Sequence, residues 1–247
     1  MSFPVEIFDL FIDELASTIE HAESRGALLA CTVVNRRFYR QASSYVFSSI
    51  SISTLHSQKR LNDLRDILHA NPDIAHCIRS FTVEAQVYTD SLHVVLRQLS
   101  RLREFRWISE HFSQFNWNKP GTPKSIVENL FGLPTLTALH FENTMYLPLS
   151  LFSSFCHLES LTLTDVGFAS VEPDTLLAVS PPFSSLKRLK IMGALWSEED
   201  VEAVKMIMSC AAPTLTTLVL SETSFMYCKS FFLDLSPSTW IHLFYVS

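Results

Sequence analysis

"LESLTL", Leu158–Leu163, carries large apolar residues at its first, fourth and sixth positions. The last two alternate with a different residue, as a strand buried on one face requires. The pattern recurs along the chain. It stands as Phe47-Ile50-Ile52 in "FSSISI", Ile78-Phe81-Val83 in "IRSFTV" and Leu102-Phe105-Trp107 in "LREFRW". It returns as Leu136-Leu139-Phe141 in "LTALHF", Leu186-Leu189-Ile191 in "LKRLKI" and Leu215-Leu218-Leu220 in "LTTLVL". "WIHLFY", near the end of the sequence, reads as a degenerate eighth copy.

Successive copies lie about 22 to 34 residues apart, within or just beyond the range of leucine-rich repeats. Between them lie stretches with helical spacing. "SQKRLNDLRDILHAN" places Leu61, Leu64, Ile67 and Leu68 on one face, and "TDSLHVVLRQLSR" does the same with Leu92, Val95, Leu96 and Leu99. "SEEDVEAVKMIMSCAAP" opens on Ser197 as an N-cap and has Asp200 where a capping box prefers Glu. A strand-plus-helix unit cannot bury its apolar face alone, so stacked units form a continuous core. The pattern predicts an α/β fold: an irregular leucine-rich-repeat solenoid with parallel strands on the concave side and helices on the convex side. An ordinary α/β domain with similar strands by coincidence is the competing reading, and seven copies weigh against it. The consensus Asn or Cys belongs three residues after the last apolar position. Thr144, Val166, Ala194 and Thr223 stand there instead, so the register of the repeats is less regular than their number.

Composition narrows the function classes. The chain has 247 residues, 47% hydrophobic and 18% charged, as a globular protein does. Its net charge of −6 lacks the basic footprint of a nucleic-acid binder. The densest basic spot, Arg36, Arg37 and Arg40, reads as a solvated helix face. Five scattered cysteines give no metal-ligand spacing and favour a reducing, intracellular setting, cytoplasmic or nuclear. No signal peptide and no long apolar run are visible, so no membrane association is expected.

The N-terminal region differs from the rest. "FPVEIFDLFIDELA", Phe3–Ala16, reads as a helix with Pro4 in its first turn. Val5, Ile7, Phe8, Phe11, Ile12, Leu15 and Ile19 sweep about 160° of its surface, wider than the stripe one core needs. Leu10 falls outside that arc, and Asp9, Asp13, Glu6 and Glu20 gather opposite it. Such a helix either wedges between two neighbours in its own domain or touches a second protein. Ser24-Arg25-Gly26 reads as a break, and Ala27–Ala42 as a second helix. Residues 1–45 thus make a small helical domain and residues 46–247 the repeat domain.

The stretch from Phe3 to about Ile52 resembles the F-box family. "FPVEIFDLFIDEL" is similar to the family's opening Leu-Pro-x-Glu-Ile/Leu, with Phe3 in place of Leu. "LLACTVVNRRFYRQASSYVF" resembles its second half, with Phe38 where the family often has Trp. The layout with repeats behind it looks most like the F-box/leucine-rich-repeat proteins of mushroom-forming fungi. The resemblance implies a substrate-recognition subunit of an SCF-type cullin-RING ubiquitin ligase. Its helices would dock on a Skp-type adaptor, and through it on a cullin, by way of Phe3, Pro4, Val5, Ile7, Leu15, Leu29, Val33 and Val34. Some of these belong to the internal core, which helical spacing alone does not separate from the adaptor surface.

The repeats would then hold a protein substrate on the strand face. The positions between the buried ones are Thr82, Glu84, Arg106, His140, Glu142, Thr162, Thr164, Lys190, Val219 and Ser221. Of these, Arg106, His140, Glu142, Thr162 and Lys190 are the substrate-binding candidates; a plain solvated face is the alternative for each. The long interval from Trp107 to Leu136 holds Phe112, Phe115 and Trp117, which either anchor a partner or pack the loop onto the repeats. No catalytic, phosphate-binding or cofactor fingerprint is present, and adjacent Cys156 and His157 point apart in an extended chain. The expectation is a non-enzyme without cofactor or metal. A repeat scaffold with no ligase role is the second reading, and an enzyme with an unrecognised site the third. The apolar ending "SPSTWIHLFYVS" lacks a polar capping repeat, which points to truncation or to dimerisation there.

Overall fold

A computed structural model describes residues 5–19, 21–53, 57–84, 90–109, 130–155, 157–169, 183–193, 197–221 and 242–246. The N-terminal helices are α1 (Val5–Ser17), α2 (Ala22–Cys31) and α3 (Arg36–Val46). Then come β1 (Ser49–Ile52), α4 (Ser57–Ala70), α5 (Pro72–Ala75), β2 (Ser80–Glu84), α6 (Asp90–Gln98), β3 (Glu104–Ile108) and β4 (Ala138–Glu142). A 3-10 helix (Leu149–Ser154), β5 (Ser160–Thr164), β6 (Arg188–Met192), α7 (Glu198–Ala211), β7 (Thr217–Ser221) and β8 (His242–Val246) complete the described elements.

The chain is α/β. Its strands form one parallel sheet in sequence order, β1 through β8, each pairing with its neighbours in the chain. The alternation read from "LESLTL" is the burial pattern itself: in β2 through β5 the second and fourth residues are buried and the others half-buried. Register lines the buried positions into two rows. One runs Phe81, Phe105, Leu139, Leu161, Leu189, Leu218; the other Val83, Trp107, Phe141, Leu163, Ile191, Leu220. The apolar residue three places earlier is buried too in the copies of β2 through β7: Ile78, Leu102, Leu136, Leu158, Leu186 and Leu215. The degenerate eighth copy pairs with β7, Leu243 opposite Leu218.

Two backbone features recur at fixed places in the copies. Before each of β2 through β7, two consecutive N–H groups donate to one carbonyl of the preceding copy. Arg79 and Ser80 donate to Ser48 O, Arg103 and Glu104 to Arg79 O, Thr137 and Ala138 to Arg103 O. The series continues through Thr137, Glu159 and Lys187. After β4, β5 and β6 the chain turns left-handed at Asn143, Asp165 and Gly193, with φ of 52°, 50° and 83°. These are residue types that tolerate positive φ. They sit one residue ahead of the positions at which the consensus Asn was sought.

Helices cover the buried rows. Leu61, Leu64 and Leu68 of α4, Leu92, Val95 and Leu96 of α6, and Ala203, Val204, Ile207 and Met208 of α7 share one core with the strands. Ile67 of α4 is exposed. Between β4 and β5 the 3-10 helix stands where α6 stands between β2 and β3. Phenylalanines fill the space: Phe131–Phe155, Phe152–Phe155 and Phe131–Phe141 meet edge to face, with ring centroids 4.7, 5.2 and 6.0 Å apart.

The N-terminal helices differ from expectation in two respects. Ser24-Arg25-Gly26 is no break but the middle of α2, where a Cβ at Gly26 would meet nothing within 4 Å. The single helix expected over Ala27–Ala42 is two, interrupted after Cys31. Asn35 dictates the restart: its side chain accepts hydrogen bonds from the N–H groups of Arg37 and Phe38 as an N-cap. Ile12, Leu28, Cys31, Ala42 and Val46 form a small core separate from that of the sheet, and Phe47 packs against both.

Candidate functional site

Two surfaces answer the residues singled out by sequence. The first lies on the three N-terminal helices. Of the described residues of α1, Ile12 alone is fully buried, at 1% exposure. The acidic side of α1 is occupied by α3. Arg37 pairs with Asp9, Gln41 Nε2 donates to Asp9 O at 3.2 Å and to Asp13 Oδ1 at 3.1 Å, and the Tyr45 hydroxyl donates to Asp13 Oδ1 at 2.8 Å. That hydrogen bond, with burial and the Asp13 charge, raises the Tyr45 pKa. The basic cluster is therefore partly engaged at Arg37, while Arg36 and Arg40 are exposed.

With its polar side held by α3, α1 turns apolar residues to solvent. Ile7, Phe8, Leu10 and Phe11 are exposed, and so are Leu29 of α2 and Val33 and Val34 of the turn that follows. These are seven of the ten large hydrophobic residues exposed among the described residues, so the apolar surface is concentrated in this unit. Val33 reaches 84% and Leu10 68% exposure. Phe8 and Phe38 meet edge to face at a centroid distance of 5.3 Å.

The adaptor-facing candidates divide accordingly. Ile7, Leu29, Val33 and Val34 are exposed. Leu15 is half-buried against the small core. Phe3, Pro4 and the side chain of Val5 lie outside the described residues. Sequence reasoning missed Leu10. An apolar residue standing off the main arc was the available signal.

The second surface is the face of the sheet away from the core. Register sets Arg106 beside His140, His140 beside Thr162, and Thr162 beside Lys190. Four of the five substrate-face candidates thus form one unbroken row, continued by Thr82 at one end and Val219 at the other. Glu142 lies in the next row, its Oε2 3.4 Å from His140 Nε2. Burial, then the positive charges of Arg106 and Lys190, lower the His140 pKa to about 4. The imidazole is neutral at pH 7, so this contact is not an ion pair. Arg106 Nε and His140 Nε2 are both buried without a hydrogen-bond partner. Ser221, also read as open, is buried and donates to Gly193 O at 3.0 Å.

The aromatic residues Phe112, Phe115 and Trp117 lie outside the described residues, as do Cys156 and Cys228. Cys31, Cys77 and Cys210 are free thiols. Burial raises the pKa of Cys77 and Cys210. Among the described residues no three His, Cys, Asp or Glu side chains gather as a metal site, and no helix is long and apolar enough to cross a membrane.

No protein-family model matches the chain. No curated protein matches it significantly.

Proposed function

We propose that the chain is the substrate-recognition subunit of an SCF-type cullin-RING ubiquitin ligase. In this reading α1–α3 are an F-box-like unit that docks on a Skp-type adaptor. The parallel sheet with its covering helices is a leucine-rich-repeat solenoid, its strands concave. The chain positions a protein substrate, and other subunits carry the thioester chemistry.

One observation carries the proposal: apolar side chains at Ile7, Leu10, Phe11, Leu29, Val33 and Val34 stand in water on a unit that already has its own core. Exposed large apolar surface concentrated in one place marks an interaction site. The opening "FPVEIFDLFIDEL" adds the resemblance to the F-box pattern. The left-handed residue after each of three successive strands, and the carbonyl shared by two N–H groups before each, recur at equivalent places and support the repeat reading.

The test is co-expression with a Skp-type adaptor, wild type beside Ile7→Asp. Capture that the substitution removes supports the receptor reading. Failure of the folded wild type to capture the adaptor overturns it and leaves a repeat scaffold.

A further inference from the structure

We infer that the strand face binds an extended, acidic segment of a partner protein that crosses the strands, with carboxylates four residues apart over Arg106 and Lys190. The inference rests on the reading of this face as the substrate-binding surface and gives the substrate a chemical class.

Four observations lead to it. First, neither cation has an ion-pair partner among the described residues. The described ion pairs include neither Arg106 nor Lys190, and Arg106 Nε is buried without a hydrogen-bond partner. Among the described residues no protein acceptor competes for this guanidinium, and a carboxylate is the ligand that its outer donors take best. Second, His140, between them in the same row, has its Nε2 in the same condition. Burial opposes its protonation first, and the charges of Arg106 and Lys190 oppose it further, so the cationic positions of the row are its two ends.

Third, spacing selects the ligand. Arg106 and Lys190 are three strands apart. At ~4.8 Å per strand that is ~14 Å. An extended segment lying across the strands advances ~3.3 Å per residue and points alternate side chains the same way, so residues four apart span ~13 Å on one side. One carboxylate cannot reach both cations; two at positions i and i+4 can. The side chain at i+2 falls between His140 and Thr162, where an acceptor would meet the Thr162 hydroxyl.

Fourth, the flanking charges set direction. Glu84, Glu104 and Glu142 lie on β2, β3 and β4, whereas Arg188 accompanies Lys190 on β6. Acidic residues added beyond Lys190 are favoured, and those added beyond Arg106 are repelled. Glu142 also approaches His140, and its charge confines the carboxylates to the two ends of the row.

The experiment uses the full chain and a fluorescein-labelled nonapeptide of Ser and Thr with Asp at its third and seventh positions. Controls carry Asn in both places, or move the second Asp one residue. Fluorescence anisotropy should show saturable binding that the moved-Asp control weakens about tenfold, as loss of one charge-assisted contact does, and that the Asn control weakens further. Lys190→Ala and Arg106→Met should weaken the Asp peptide by a similar factor and leave the Asn peptide unchanged. In proton NMR the His140 C2–H should titrate higher with peptide bound than without. Equal binding of the Asp and Asn peptides, or no saturation at millimolar peptide, overturns the inference. Adaptor capture by the same preparation separates the two readings. Capture without peptide binding removes only the acidic class of substrate, and peptide binding without capture removes only the ligase role.

Discussion

Gly193 lies against Asp165 so closely that a Cβ built on it would collide with Asp165 Oδ1. The two residues occupy the same place in successive copies, each in the left-handed turn that follows its strand. Glycine is therefore required twice over, by its φ of 83° and by the neighbouring carboxylate. Gly193→Ala should destabilise the protein by about 2 kcal/mol or more, combining the positive-φ cost with displacement of Asp165. Urea unfolding followed by circular dichroism measures it. Gly26→Ala is the control: it lies in a helix with open space around it, and should be neutral or stabilising by about 0.5–1 kcal/mol.

Asp200 ties α7 to the preceding copy. Its Oδ2 accepts from the Ser197 N–H at 3.0 Å and closes the capping box, while its Oδ1 accepts from the Phe168 N–H at 2.6 Å. The carboxyl is 2% exposed. Asp200→Ala leaves the buried Phe168 N–H and the partly buried Ser197 N–H without their acceptor and should cost about 3 kcal/mol. Ser197→Ala loses only the cap and should cost about 1 kcal/mol. A ratio near unity between the two in thermal or urea unfolding would show that the Phe168 contact contributes nothing.

His140 makes stability depend on pH. Its folded pKa of about 4 lies below the ordinary 6.5. Between those values the unfolded chain binds a proton that the folded chain does not, so stability is complete above pH 6.5 and declines as pH falls toward 4. Solvent screening at this half-buried site reduces the loss to about 1–2 kcal/mol. His140→Gln should flatten that part of the profile. Urea midpoints at pH 7 and pH 4.5, wild type beside variant, give the comparison; parallel profiles would remove His140 as the cause.

The sheet was legible because its signal is short-range. Apolar spacing within six residues locates each strand, and register follows from stacking equivalent positions. The turns were less legible. Asn143, Asp165 and Gly193 share a conformation but not a residue type, so a search for one consensus residue passed over them. The helical unit was read in part. The arc of α1 contains its buried Ile12, but the interruption between α2 and α3 depends on Asn35, whose capping role is evident only from its hydrogen bonds. Which apolar residues of α1 face outward could not be read from α1 alone. It is decided by Arg37, Gln41 and Tyr45, 28 to 32 residues away, which occupy the acidic side.

That division within α1 separates folding from docking. Ile12 is 1% exposed and sits in the small core with Leu28 and Ala42. Ile12→Asp buries an unpaired charge and should unfold the helical unit, with loss of helical signal and several kcal/mol of stability. Leu10 and Val33 are exposed, and Leu10→Asp or Val33→Asp should change stability by no more than about 0.5 kcal/mol. If the exposed surface is the docking site, these two variants lose adaptor capture while remaining as helical as wild type. The two kinds of variant look alike in a pull-down and differ in circular dichroism, so both measurements are needed on each. Capture that survives in both Leu10→Asp and Val33→Asp would place the adaptor contact elsewhere on the chain, and the water-facing side of α1 would need another explanation.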